Sequence, residues 1–255
     1  MASLIRLEGV TKAFPMAGSA YTALSGIDLS VERGEFVAIT GPSGHGKSTL
    51  MSILGGLDRP SDGRYYLDGI DVSGLSDDQM AAVRSRTIGF VFQSFNLVPT
   101  LTALENVELP MVYAHVPGAQ RRERARALLE WAGLGAHARH RPLQLSGGQQ
   151  QRVAICRALA LDPPLLLADE PTGNLDSHAG QTIIDQLVEL SRSDHTLVLV
   201  THDPMVAAHA RREVHIWDGR IEWDRPLEHR PGEPAPPDMP APPPGPGHAG
   251  GDAHA

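Results

Sequence analysis

A single cysteine, Cys156, stands in 255 residues, which excludes an internal disulfide and any cysteine-rich metal site. Aromatic residues make up only 5% of the chain. No apolar run approaches the ~18 residues that a membrane span needs. The opening Met1-Ala-Ser-Leu-Ile-Arg6 lacks the basic start and long apolar stretch of a signal peptide. Positive charge is also short: the net charge is −8, against the basic face that a nucleic-acid binder normally carries. These absences lead us to expect a soluble, cytoplasmic protein that does not bind nucleic acid. What is present is 41% hydrophobic residues, enough for a core in one large domain or a domain with an inserted lobe.

The most informative stretch is Gly41-Pro-Ser-Gly-His-Gly-Lys-Ser-Thr49. It fits G-x-x-x-x-G-K-[ST]. It follows Phe36-Val-Ala-Ile-Thr40, read as a buried strand, and precedes Leu50-Met-Ser-Ile-Leu54, read as the helix it opens. Gly41, Gly44 and Gly46 permit a tight turn close to a polyphosphate, so that successive N–H groups and the positive helix end face the anion. Lys47 adds a full charge toward the outer phosphates, and Ser48 offers a hydroxyl ligand to Mg²⁺. The chain is therefore expected to bind a nucleoside triphosphate.

Strands alternating with helices point to an α/β fold with a mostly parallel sheet. The strands expected before and just after the phosphate loop make an N-terminal antiparallel β subdomain. From about residue 95 to 145 no strand pattern occurs, and the texture is that of an inserted helical lobe. Its basic run, Arg121-Arg-Glu-Arg-Ala-Arg126, reads as a solvated helix face. We expect the folded domain to occupy residues 1–225. Ten of the 21 prolines fall in residues 226–255, where aromatics are absent, so this tail is expected to be disordered, with His229, His248 and His254 solvated.

Three further constellations carry chemistry. Leu165-Leu-Leu-Ala168 delivers Asp169 and Glu170 to the C-terminal edge of the sheet, where Asp169 suits a metal and Glu170 a water. His202 ends the strand Thr196–Thr201, and Gln93 ends Ile88–Phe92; each side chain reaches the same edge, and each is a weak signal alone. Leu145-Ser-Gly-Gly-Gln149 has the make-up of a second anion site, with Ser146 as N-cap ahead of Gly147, Gly148 and Gln149 at a helix start. One triphosphate satisfies both helix ends only if they face each other, and two chains supply that arrangement naturally.

With Gln93, Asp169-Glu170, Asn174-Leu-Asp176 and His202, the phosphate loop and Leu145-Ser-Gly-Gly-Gln-Gln-Gln-Arg-Val-Ala154 resemble the full motif set of ATP-binding cassette ATPases, in order, over roughly Leu4 to Trp223. The resemblance implies ATP and Mg²⁺ as ligands and a P-loop core. Phe14 would stack on adenine where the family most often has Tyr. Gly41, Ser43, Gly44, Gly46, Lys47, Ser48 and Thr49 would bind phosphates, and Ser48, Gln93 and Asp169 would serve the metal. Glu170 would be the general base, with His202 as its partner. Ser146, Gly147, Gly148 and Gln149 would contact ATP held by the opposite subunit, and Asp176 would join the dimer contact. His45 and Cys156 depart from the usual Ser and Ala; we expect little loss from the first and a packing role for the second.

Gly55-Gly-Leu-Asp58, Phe95–Pro110 and Ala168–Asp176 resemble the branch serving lipoprotein release, macrolide and peptide efflux, and cell division. The implied partners are a membrane permease subunit and a second ATPase subunit, at the cytoplasmic face of the cell membrane. The alternative is a soluble cassette ATPase acting on nucleic acid or ribosomes. Such proteins usually carry two cassettes or a long coiled coil, and this chain has neither.

Overall fold

The structure, a computed structural model, describes residues 3–16, 19–193, 195–227 and 242–246. The chain opens with two long strands, β1 (Ser3–Met16) and β2 (Ser19–Glu32), paired antiparallel. Strand β3 (Phe36–Thr40) leads through the phosphate loop into helix α1 (Lys47–Leu54). Strands β4 (Asp62–Leu67) and β5 (Ile70–Asp71) turn about Asp68 and Gly69, both at positive φ. Helix α2 (Asp77–Thr87) begins at a reciprocal cap between Ser76 and Gln79 and ends where β6 (Ile88–Phe92) starts.

The helical lobe contains α3 (Ala103–Tyr113), capped by Thr102 and Glu105, and α4 (Gly118–Trp131). Two short 3₁₀ turns, Gly135–His137 and Pro142–Gln144, lead to α5 (Gly147–Ala158), capped by Ser146 and Gln149. The helices α2, α3 and α5 thus each start on a reciprocal capping box of Ser/Thr-x-x-Glu/Gln spacing. The chain then returns to the sheet with β7 (Leu165–Asp169), α6 (Ser177–Arg192), β8 (Thr196–Val200), α7 (Pro204–Ala207), β9 (Arg212–Trp217) and β10 (Arg220–Pro226).

Two sheets result. The antiparallel sheet has the order β2-β1-β4-β5, and the main sheet β10-β9-β3-β8-β7-β6. Within the main sheet only the β9–β10 pair is antiparallel. Its central strands are buried on both faces and read as continuous apolar runs, which is what a covered parallel sheet requires. Alternate side chains separate into two cores. Phe36, Ala38, Leu166, Leu197 and Leu199 pack with α3–α6. Val37, Ile39, Leu165, Leu167, Val198 and Val200 pack with α1 and the antiparallel sheet. The register places Asp169 opposite Phe92 and Val200, so the residues just beyond these strands meet at one sheet edge.

The expected solvated face of α4 needs correction at one residue. Arg124 is only 6% exposed; one guanidinium nitrogen donates to Leu159 O at 2.9 Å. Arg121 donates to Glu108 at 3.1 Å. The lobe's connection to the sheet is fixed by Asn106. Its fully buried amide accepts from Val98 N–H at 2.8 Å and donates to the carbonyls of Val98, Leu101 and Thr102.

Candidate functional site

The phosphate loop holds a geometry that side chains at two positions would break. Gly41 has φ +137°, and a Cβ there would overlap the backbone carbonyl of Ile216. Gly46 is the N-cap of α1 at φ +105°, and its Cβ would lie 2.6 Å from Ala23 O. No side chain caps this helix start and its first turn carries no acid, so the N-terminal N–H groups are left to an anion. Lys47 is 7% exposed; its ammonium donates to Gly41 O at 2.7 Å and Pro42 O at 2.8 Å. Burial lowers its pKa, while Glu170 and Asp169 pull the other way. His45 turns away from the cleft. Its Nδ1 accepts Asp218 N–H at 2.9 Å, its carbonyl accepts Gly219 N–H at 3.1 Å, and its ring tilts onto Trp217 with centroids 4.7 Å apart. The closing hairpin therefore buttresses the phosphate loop through the residue that departs from the family pattern.

A cleft of about 370 Å³ opens over this loop, lined by Ser43, Gly44, Gly46, Lys47, Ser48 and Thr49 together with Gln93, Asp169, Glu170 and His202. Glu170 sits in the left-handed region at φ +44°, which swings its side chain toward β8. One carboxylate oxygen accepts His202 N–H at 3.0 Å and lies 2.6 Å from His202 Nδ1. The other accepts from Thr201 Oγ1 at 3.4 Å. Glu170 is thus held mostly buried while His202 remains largely exposed at the cleft mouth. Gln93 donates weakly to Asn174 Oδ1 at 3.5 Å, and Asn174 Nδ2 returns a bond to Gln93 O at 3.0 Å.

Ser48, Gln93 and Asp169 present a hydroxyl, an amide oxygen and a carboxylate to one cleft. This all-oxygen set fits Mg²⁺ shared with phosphate and water. Asp169 has its pKa raised, first by burial and then by Glu170, with Lys47 opposing. A carboxylate raised in the folded state favours folding below its unfolded pKa. That contribution is lost as pH rises toward the folded value. At neutral pH without ligand, Asp169 is therefore a source of strain. Asp169→Asn is expected to raise the melting temperature of the ligand-free protein at pH 7 while weakening Mg²⁺-dependent nucleotide binding. Paired thermal unfolding with and without Mg²⁺–ATP checks this, and a lower ligand-free Tm counts against it.

Other expected site residues lie outside this cleft. Phe14 faces Tyr21 across the β1–β2 hairpin, 38% exposed, with the Lys12 ammonium 5.0 Å from its ring centre. Ser146 is exposed at the start of α5, where its Oγ accepts Gln149 N–H at 3.3 Å. Gly148 packs against Ala179 too closely for an unstrained Cβ, while a Cβ at Gly147 would meet the Leu175 side chain at 3.2 Å, a tight contact. Gln149 contacts His137 at 3.3 Å. Asp176 caps α6 by accepting Ala179 N–H at 2.9 Å. Cys156 is fully buried, its thiol pushed up to about 12 chiefly by burial, which leaves it inert at neutral pH.

Residues 24–173 match the family model described as ABC transporter. The chain belongs to the ABC transporter family. Over 222 residues the cassette is 53% identical to an uncharacterized ABC transporter ATP-binding protein of Thermotoga maritima, covering 87% of this chain and 95% of that one. It is 54% identical over 225 residues to the macrolide export ATP-binding/permease protein MacB of Marinobacter nauticus, covering 88% of this chain but 35% of that one. The cassette thus spans about a third of the length of such curated relatives. Among solved structures, the ATP-binding cassette MJ0796 in a dimeric post-hydrolysis state bound to ADP and Pi superposes with a TM-score of 0.82 at 47% identity. The match covers 88% of this chain and 99% of that one.

The cassette's cleft also contains residues that sequence reasoning did not single out. Tyr21 lines it and donates to Gly44 O at 3.4 Å. Thr201 steadies Glu170 and also accepts Asp203 N–H at 3.0 Å. Asn174 was part of a recognised motif, but its bond to Gln93 spans 81 positions and has no local sequence signal.

Proposed function

We propose that this cassette binds Mg²⁺–ATP in the described cleft, closes on a second ATPase chain, and drives a membrane permease subunit from the cytoplasmic face of the membrane. The ATPase unit would be residues 1–225. The observation that carries the reading is the division of the motif residues. Lys47, Asp169, Glu170, Gln93 and His202 share one cleft, whereas Ser146 is exposed elsewhere on an N-terminal helix end.

Each role follows from placement. The loop N–H groups and the α1 dipole hold the phosphates. Lys47 exchanges its loop carbonyls for phosphate oxygens. Bound Mg²⁺ would neutralise phosphate charge, held through Ser48, Gln93 and Asp169. Glu170 accepts a proton from an attacking water, and His202, hydrogen-bonded to it, fixes the carboxylate and faces the mouth. Phe14 is the proposed adenine platform, and Tyr21, nearer the loop, flanks the phosphates. The partner chain's Ser146, Gly147, Gly148 and Gln149 approach the terminal phosphate, with Asp176 at the same interface. ATP favours the closed pair because it touches both halves only there.

A membrane partner has a suitable face to grip. A groove of about 440 Å³ runs between the main sheet and the lobe, lined by Leu57, Phe90, Phe92, Leu109 and Tyr113, with Tyr113 76% exposed. Its apolar lining suits a helix from a permease subunit. Tyr113→Asp is expected to reduce retention of the tagged chain in the membrane fraction about tenfold, as loss of one buried aromatic anchor does, while ATP binding is unchanged. A chain that leaves the membrane fraction and retains RNA would return the reading to the soluble alternative.

A further inference from the structure

The proline-rich tail is not wholly detached from the fold. Residues 242–246, Pro-Pro-Pro-Gly-Pro, lie against the cassette where the lobe meets the main sheet. Pro244 is exposed, while the four residues around it are half-buried. Arg124, buried on α4, donates through one guanidinium nitrogen to Pro244 O at 2.6 Å. Its other terminal nitrogen lies 3.7 Å from Asp162, in the loop between α5 and β7. Asp162 stands at φ +55°. Its carboxyl is held below the ordinary range first by a hydrogen bond from His195. Burial opposes this, while the Arg124 charge and the Gly245 backbone N–H add to it. Gly245 is packed so tightly on Asp162 that a Cβ would overlap the aspartate Cβ and lie 2.9 Å from its Cγ.

We propose that Arg124 and Asp162 form a clip for a proline–glycine segment, and that its occupant is the chain's own Pro242–Pro246. The recognition uses backbone chemistry: a guanidinium for the Pro244 carbonyl and a carboxylate for the Gly245 amide. Proline before and after Gly245 fixes φ and lowers the entropy lost on docking. The bare glycine is required because Asp162 fills the space a side chain would take. Tethering places the segment at an effective concentration on the order of millimolar, which fills a site of modest affinity. The clip bridges α4 of the lobe to the loop entering β7, so the docked segment straps the lobe to the sheet.

The segment offers a sparse reporter, since prolines carry no N–H and Gly245 holds the one backbone amide in residues 242–246. Amide exchange at Gly245 can be followed by NMR in the full chain labelled with ¹⁵N-glycine, against a synthetic peptide of residues 238–250. The full chain is expected to exchange roughly tenfold or more slowly than the peptide. Asp162→Gly keeps the left-handed backbone and removes the carboxylate, and it should return Gly245 to the peptide rate. Gly245→Ala, labelled with ¹⁵N-alanine instead, leaves the cassette untouched and should leave the Ala amide equally unprotected. The proposal is overturned by a Gly245 that exchanges at the peptide rate in the unaltered chain, or by protection that survives Asp162→Gly. Protection that grows with protein concentration would assign the clip to the tail of another copy and equally overturn it.

Discussion

Glu170→Gln is expected to lower steady-state ATP hydrolysis by about 10²–10⁴-fold, the range that a positioned general base contributes, while ATP binding persists. The substitution keeps the shape of the side chain and the oxygen that accepts His202 N–H at 3.0 Å. It removes the basic electron pair that would receive a proton from water. It also leaves the phosphate loop, Lys47 and Asp169 in place, so nucleotide still enters. With hydrolysis blocked, ATP remains as the ligand that favours the closed pair, and the variant should accumulate as a dimer in ATP but not in ADP. Single-turnover hydrolysis and light scattering on the same samples check both halves. A variant retaining more than about a tenth of the unaltered rate would remove Glu170 from the role of base.

The placement of Asp169 and Glu170 was legible because local sequence sets it. An apolar run of strand length ending in Asp169-Glu170 reaches the C-terminal sheet edge, and the parallel register does the rest. The phosphate loop was legible for the same reason: strand, glycines and helix are contiguous. The β1–β2 arm was only partly legible. Beyond Val10 the residues of β1 are half-buried and then exposed, and Pro15 lies among them, so the alternation that marks a strand fades although the pairing continues to Met16 and Ser19. Tyr21 escaped notice because it meets Gly44 only through that arm.

Arg124 shows where an argument from local sequence stops. A basic helix face looks solvated when only its own helix is counted. The acceptors that bury Arg124 are carbonyls of Leu159 and Pro244, 35 and 120 positions away. Composition likewise says that a proline-rich tail has nothing to bury. Residues 242–246 rest on the cassette through the Pro244 carbonyl and the bare Gly245 packed on Asp162, groups that composition does not weigh. The histidines at 229, 248 and 254 lie outside the described residues.

The proposed division of the site between two chains has a sharper consequence than any single substitution. Lys47→Ala removes the buried cation of one half, and Ser146→Arg fills the exposed helix start of the other. The second change costs a cap worth about 1 kcal/mol and leaves the α5 core untouched. Each homodimer is expected to lose at least about 10²-fold in hydrolysis, the scale for removing one preorganised phosphate contact. Mixed in equal amounts, the two chains pair at random and half the dimers are mixed. In a mixed dimer one site carries both defects and the other carries neither, because the intact Lys47 of one chain faces the intact Ser146 of its partner. If each site turns over alone, the mixture recovers about a quarter of the unaltered activity. A Ser146 acting within its own chain predicts no recovery, since every site would then keep one defect. The control is Lys47→Ala mixed with unaltered chain, where every mixed dimer keeps one intact site under either arrangement. About a quarter of that control's dimers are wholly unaltered, so a total near half of the unaltered activity rather than near a quarter shows that one site suffices; silence in the first mixture alongside it would then exclude action across the dimer.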